Sequence, residues 1–397
     1  MSSRTSSPDF PPLYAERPEW SDVVPIPQND EDANPIAPIF YTPEYKDATD
    51  YFRGIVKTGE KSKRVLELTE SIIRLNPAHY SAWQYRYQTL LSTSSSLSDE
   101  LTLMDTYATE FLKTYQVWHH RRLLLTLLHQ PPSSPSPSSP TPTTTTSPTH
   151  TPTTTPPLPL QAELTFITSA LRTDAKNYHT WAYRQWVLSH FSRPELWSGE
   201  ISFVESMLDE DVRNNSAWHH RFFVVFASGV REGDEDREEV RRRELAYTKE
   251  KIALAPNNGS AWNYLRGILT HTHTPFATQA DFVLPYTLPY PSPSQTEPLD
   301  KDVDVKMTDE DKDTDKDEKN SSPENTVVDL ENPRPEAGAD LPSPLAIEFM
   351  ADIYEERGGK EDVLSAVELW KSLRDEHDTI RKNYWEFRIN DALHPSR

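Results

Sequence analysis

The chain contains no cysteine in 397 residues. Disulfides, thiolate nucleophiles and cysteine-based zinc sites are therefore excluded within it. Glycine is scarce, with 10 residues against 35 prolines, and no G-x-x-x-x-G-K-[ST], G-x-S-x-G or H-E-x-x-H motif is present. No apolar run approaches the roughly 18 residues of a membrane span. Basic charge is in deficit: 41 Lys and Arg face 62 Asp and Glu, for a net charge of −21. A phosphate-tracking nucleic-acid binder is normally basic, so that class is disfavoured. Neither end carries a signal peptide or a lipidation box. These absences predict a cytoplasmic protein with no complete catalytic site of its own.

What is present is tryptophan in a repeating context. Six of the ten head one pattern: Trp83 with Arg86, Trp118 with Arg121, Trp181 with Arg184, Trp218 with Arg221, Trp262 with Arg266, and Trp385 with Arg388. Five are W-x-x-R; at Trp262 the arginine comes one residue late. Trp83 to Trp118 is 35 residues and Trp181 to Trp218 is 37. Trp118 to Trp181 is 63, but 28 of those, Pro131 to Leu158, are almost pure Pro, Ser and Thr; without them the interval is again 35. A period in the mid-thirties marks a two-helix solenoid unit.

Each unit reads as a helical hairpin. Val65, Leu66, Leu68, Ile72, Ile73 and Leu75 form a roughly helical apolar face, which Asn76-Pro77 terminates. Tyr80, Trp83, Tyr87, Leu90 and Leu91 then follow at i, i+3 and i+4 spacings. The expected fold is all-α: a right-handed, crescent-shaped α-α superhelix of about six hairpins with long disordered insertions. A motif repeated six times describes how units stack. The Trp is thus expected to plug the space between neighbouring units, and the Arg to be a buried pairing residue. The expected organisation is a mostly disordered, Pro-rich stretch over 1–35, one repeat domain over 36–390 interrupted at 131–158 and 271–344, and a tail over 391–397. The second interruption includes Asp300 to Glu318, with ten acids and four lysines and no glycine. Such a run is a solvated tether rather than a Gly-punctuated cation loop.

The pairs His119-His120 and His219-His220 suggest metal ligands. Adjacent residues point in different directions on a helix, so neither pair closes a site and a structural role is expected. Five residues before the Trp stand Ala78, Lys113, Lys176, Arg213, Asn257 and Ile380. Three consecutive central repeats place a cation there, beside a helix N-terminus that favours anions. Either these form a basic shelf for a phosphate or they are ordinary solvated cations; the pattern alone leaves both open.

The Trp repeats resemble those of the prenyltransferase α subunits. The resemblance covers about residues 19–130, 159–270 and 345–390. The segment Glu19-Trp20 through Asp30, with Asn34-Pro35, is similar to the leading segment of the subunit shared by farnesyltransferase and geranylgeranyltransferase type I. Asp174-Ala-Lys-Asn-Tyr-His179, Asp211-Val-Arg-Asn-Asn-Ser216 and Asp378 to Trp385 resemble its central and last repeats. The resemblance implies a chain wrapped around a β subunit that carries the zinc, with magnesium accompanying the diphosphate and no cofactor bound by this chain alone. The substrates implied are farnesyl or geranylgeranyl diphosphate and proteins ending in a CaaX motif, such as small GTPases. Lys113 matches the family lysine that contacts the diphosphate; Tyr178 and His179 match residues that meet it as the isoprenoid moves. Tyr115 matches a rim tyrosine, Gln116 a glutamine that binds the substrate carboxylate, and Asn177 a neighbouring polar residue. Thr114 stands where the family commonly has Asn. Two other readings compete. A Rab geranylgeranyltransferase α subunit should lack the segment from Trp20 to Asn34. A tetratricopeptide-like scaffold leaves Lys113, Gln116 and His179 unexplained.

Overall fold

The computed structural model describes residues 12–28, 39–130, 160–227, 237–289 and 331–394. They are helical throughout, with no strand among them. The expected insertion at 131–158 and the acidic run lie outside the described residues. The chain divides into two compact units, residues 1–197 and 198–397.

The first unit opens with α1 (Pro43–Thr58) and continues with three hairpins: α2 (Lys63–Leu75) with α3 (Tyr80–Ser92), α4 (Leu97–Glu110) with α5 (Tyr115–Leu128), and α6 (Leu160–Thr173) with α7 (Tyr178–Phe191). It closes with the short α8 (Pro194–Trp197). The second unit pairs α9 (Glu200–Glu210) with α10 (Asn215–Phe222) and α11 (Arg237–Leu254) with α12 (Gly259–His271). It continues through the short α13 (Ala280–Val283) to α14 (Pro344–Arg357), α15 (Lys360–Ser372) and α16 (Lys382–Leu393). The six Trp hairpins expected from the repeat are thus all present. In α2 Val65, Leu68, Ile72 and Ile73 of the expected face are buried, Leu66 is half-buried and Leu75, at the helix end, is exposed.

The repeat motif is a stacking device. All six motif tryptophans are at most 5% exposed. In five hairpins the indole Nε1 donates to the carbonyl six residues earlier: Pro77, Leu112, Ala175, Val212 and Pro256, at 2.7–3.0 Å. Each Trp thereby ties its helix to the turn that precedes it, a bond that keeps a large buried donor satisfied. Its ring packs on the following hairpin: Trp83 lies 5.0 Å from His120, Trp118 5.2 Å from Tyr183, and Trp218 5.0 Å from Tyr264. Trp385 departs from the pattern by donating to the Asp378 carboxylate at 3.1 Å.

The arginines are paired as expected. Arg86 makes a two-point contact with Glu100, Arg121 with Glu163 and Arg221 with Glu244, each N–O distance between 2.6 and 3.0 Å. The same carboxylates accept a third bond, from His120, Tyr183 and Tyr264 respectively, at 2.7–2.9 Å. One buried carboxylate thus locks the Arg of one hairpin to the second helix of the next. Arg184 uses the Leu164 carbonyl and the Thr168 hydroxyl, and Arg388 uses Asp352 and Glu355. Fully paired charges of this kind specify register, because an unpaired one in the same place is costly. One member of each histidine pair, His120 and His220, sits on a buried glutamate in the expected structural role, while His119 and His219 are exposed.

This network carries a pH dependence. Burial opposes ionisation of Glu100, but bonds from His120 and Arg86 hold its carboxyl down at about 2. Burial also holds the His120 imidazole below its ordinary 6.5, in the neutral form that donates to Glu100. Both groups bind fewer protons folded than unfolded, so both contribute stability at neutral pH that is lost as the pH falls. The histidine contribution declines below 6.5, the carboxylate contribution below 4.5. His120→Tyr, which installs the hydroxyl that Tyr183 and Tyr264 use, is expected to abolish the first limb and keep the second. Thermal unfolding of both forms between about pH 7.5 and 4 checks this; identical curves would refute it.

Three boundaries differ from the sequence expectations. Residues 12–28 are not disordered: Tyr14 and Trp20 are buried, with their rings 5.0 Å apart, and Trp20 lies 6.0 Å from Tyr51 of α1. Arg64 of α2 clamps Asp22 with two bonds of 2.7 and 2.8 Å. The strand-like passage of Val24 past α1 requires Gly54, where a Cβ would stand 2.5 Å from the Val24 carbonyl oxygen. Two aromatic anchors outweigh the Pro-rich polar composition that suggested disorder. The tract 271–344 is folded at both ends, since Phe282, Val283 and Tyr286 are buried, Tyr286 donates to the Pro333 carbonyl at 2.8 Å, and Ser343 donates to that of Pro256 at 2.9 Å. Finally, α16 runs to Leu393, past the expected start of the tail at 391. Among the described residues no helix is long and apolar enough to cross a membrane.

Candidate functional site

The residues singled out from the sequence converge where α5 and α7 begin. Both helices are preceded by tight turns, Phe111–Thr114 and Asp174–Asn177, because helix breaking recurs at the same point of each hairpin. Asn177 caps α7, its side-chain oxygen accepting from the Thr180 N–H at 3.0 Å. Asn214 and Asn258 do the same for α10 and α12. Thr114 makes no side-chain cap bond to α5. The two turns are joined directly, since the Asn177 amide also reaches the Leu112 carbonyl at 3.5 Å.

Lys113 projects from the first turn with its side chain 82% exposed. Tyr115 starts α5, and Tyr178 and His179 start α7. The ring of Tyr115 stacks on His119 at 6.0 Å and meets His179 edge-on at 6.4 Å; His179 meets Tyr178 at 5.6 Å. Tyr178 is 77% exposed. The result is an open cluster of aromatic and imidazole edges beside a mobile-length ammonium. Such a surface offers positive charge and hydrogen-bond donors to an anion and apolar ring faces to a hydrocarbon.

Two of the sequence candidates sit differently. Asn177 is only 3% exposed, and its oxygen and nitrogen are both engaged in the turn. Asn177 thus caps α7 and fixes the helix start that carries Tyr178 and His179. Gln116 is buried too and donates to the Ala78 carbonyl at 3.4 Å, bridging to the preceding hairpin much as Asn177 does. Lys176 shares the turn before α7, and Arg213 occupies the equivalent turn of the second unit.

Sequence reasoning missed two features. The locking glutamates Glu100, Glu163, Glu200 and Glu244 each precede a motif Trp by 18 residues, a fixed spacing that was available to be found. Asp174 has no role of its own in the sequence pattern. Its carboxylate stands 3.8 Å from the Lys113 ammonium.

Among the described residues no group of three or more His, Asp or Glu could hold a metal ion. With no cysteine either, the donor set of a structural or catalytic zinc is not found among them.

Comparison with known proteins agrees with this architecture. The protein prenyltransferase alpha subunit repeat family matches residues 62–93, 97–128, 160–191, 197–228 and 241–272, which are the first five hairpins. The farnesyltransferase/geranylgeranyltransferase type-1 subunit alpha of Schizosaccharomyces pombe is 47% identical over 109 residues, 28% of this chain and 37% of that protein. The chain thus spans little more than a third of that relative in the matched region. The subunit of the same name from Candida albicans is 27% identical over 94% of this chain and 96% of its own length. A solved Candida albicans protein geranylgeranyltransferase-I, complexed with GGPP, contains a chain that superposes with a TM-score of 0.65 at 25% identity, covering 95% of this chain and 99% of that one. Repeat, register and full-length likeness coincide: five hairpins match the protein prenyltransferase alpha subunit repeat, and over its length the chain is similar to farnesyltransferase/geranylgeranyltransferase type-1 alpha subunits.

Proposed function

We propose that this chain is the α subunit of a heterodimeric protein prenyltransferase, active only with a β subunit. The enzyme moves a farnesyl or geranylgeranyl group from its diphosphate to the cysteine of a C-terminal CaaX motif. The allylic C–O bond breaks, the thiolate supplies the electron pair of the new C–S bond, and diphosphate leaves. The observation that carries the proposal is the gathering of Lys113, Tyr115, Tyr178 and His179 at the start of two neighbouring helices. The likeness to type-1 α subunits over the length of the chain supports it.

In this reading Lys113 neutralises charge that grows on the departing diphosphate. Tyr178 and His179 donate to the same group as the isoprenoid approaches the thiolate. Tyr115 walls the rim, and Gln116, whose amide nitrogen has a second N–H beyond the one given to Ala78, offers it to the carboxylate of the CaaX peptide. Asn177 acts through the helix it caps. Zinc, expected on the β subunit, would bind the acceptor cysteine and favour loss of its thiol proton there; magnesium would accompany the diphosphate. The setting is cytoplasmic, where CaaX proteins such as small GTPases are the acceptors.

Co-expression with each candidate β subunit tests this. The pair is expected to transfer a prenyl group to peptides ending in Ser or Leu, and the lone chain to transfer none. Turnover by the lone chain, or a stable but inert pair, would overturn the proposal.

A further inference from the structure

We infer that Asp174 is a positioning residue that governs how strongly Lys113 holds a diphosphate. The inference rests on the proposed role of Lys113 and deepens it. The two residues come from different hairpins, yet their turns are in contact: the Asp174 carboxylate is 3.8 Å from the Lys113 ammonium, and Asn177 ties the same turn to the Leu112 carbonyl at 3.5 Å. Asp174 is fixed. One of its oxygens accepts from the Lys176 N–H at 3.3 Å and the other from the Asn177 amide at 3.4 Å. Lys113, by contrast, is the exposed and adjustable partner. An exposed pair at this distance is weak enough to be exchanged for a stronger anion. A diphosphate that recruits Lys113 must therefore displace one carboxylate and tolerate its charge nearby. The consequence is a site whose affinity for the diphosphate head is deliberately moderate, so that inorganic diphosphate departs after transfer.

The turn itself does not need a carboxylate. Asn76 makes the equivalent bond in the first hairpin, its side-chain oxygen accepting from the Ala78 N–H at 3.2 Å. Asp211 does so in the fourth, accepting from Arg213 at 2.9 Å. Asp174→Asn thus removes the charge with the turn chemistry retained, and a purely structural role predicts no gain in anion affinity from it.

The test uses the heterodimer and inorganic pyrophosphate as the probe, by calorimetry and as a product inhibitor. Asp174→Asn is expected to bind pyrophosphate about two- to tenfold tighter, the range of a weak exposed pair plus one removed repulsion. The gain should shrink as salt rises. Asp174→Glu, which keeps the charge, is expected to stay near wild type. In a Lys113→Ala background only the removed repulsion remains, so the Asn substitution should give a clearly smaller gain. Equal or weaker binding by a folded Asp174→Asn heterodimer overturns the inference, as does the same gain without Lys113. If wild type transfers prenyl groups but Lys113→Ala is unimpaired, the role of Lys113 itself fails, and that outcome is distinct from a null result at Asp174 alone.

Discussion

Lys113→Ala is expected to slow the chemical step of prenyl transfer by about 10²-fold or more. Binding of the isoprenoid diphosphate should weaken only a few-fold. The difference arises because negative charge on the bridging oxygen grows as the allylic C–O bond breaks, so an ammonium beside it contributes most at the transition state. In the ground state the same charge is shared with cations expected on the β subunit. Asn177 offers no substitute, being uncharged and buried in its turn. His179 is close to Tyr115 and can compensate in part through a ring N–H. Single-turnover transfer with pre-bound isoprenoid diphosphate, for wild type, Lys113→Ala and Lys176→Ala, measures the step directly. Assembly should be unchanged, since the Lys113 side chain is largely exposed. A wild-type rate in Lys113→Ala, or a defect confined to Lys176→Ala, would assign the contact elsewhere.

The second large effect is on stability. Glu163→Leu is expected to destabilise the first unit by about 3–5 kcal/mol. Glu163 is buried and accepts two bonds from Arg121 and one from Tyr183. Removing it strands a buried guanidinium and a buried hydroxyl together. Asp105, half exposed and 2.6 Å from Arg121, retains one contact and keeps the loss toward the lower end. For a unit of this size the midpoint of thermal unfolding should fall by roughly 10 °C. Circular dichroism measures it, and the double variant Arg121→Leu/Glu163→Leu should recover part of the loss, because no unpaired charge remains. A fall of less than about 1 kcal/mol would mean that the carboxylate lock contributes no more than a surface pair.

The end of the second unit shows the same logic in reverse. At the position where other repeats have the motif arginine stands Leu265, and 18 residues before Trp385 stands Val367; both are buried. The charge and its partner are lost together, and Val367 belongs instead to an apolar cluster with Ala351, Trp370 and Trp385. A carboxylate left there alone would have been costly.

Much of this protein was legible from its sequence. Helix faces follow from periodicity, turns from Asn-Pro and Asp-containing breaks, and the stacking unit from Trp and Arg at constant spacing. These are local rules, set within one or two helical turns, so they survive insertion of a long tract between Gln130 and Leu160. Composition was a poorer guide to order. It averaged Tyr14, Trp20, Phe282 and Tyr286 into polar surroundings, although a few buried rings suffice to fix a segment. Tertiary structure alone decided which turns touch. Lys113 and Asp174 are far apart in the chain, and only the packing of α5 against α7 brings cation and carboxylate together. It also decided that Asn177 is spent on its own helix while Tyr178 and His179, its neighbours, face outward. Residue type and spacing fix what a side chain can do; the neighbouring hairpin determines whether its polar atoms are already taken.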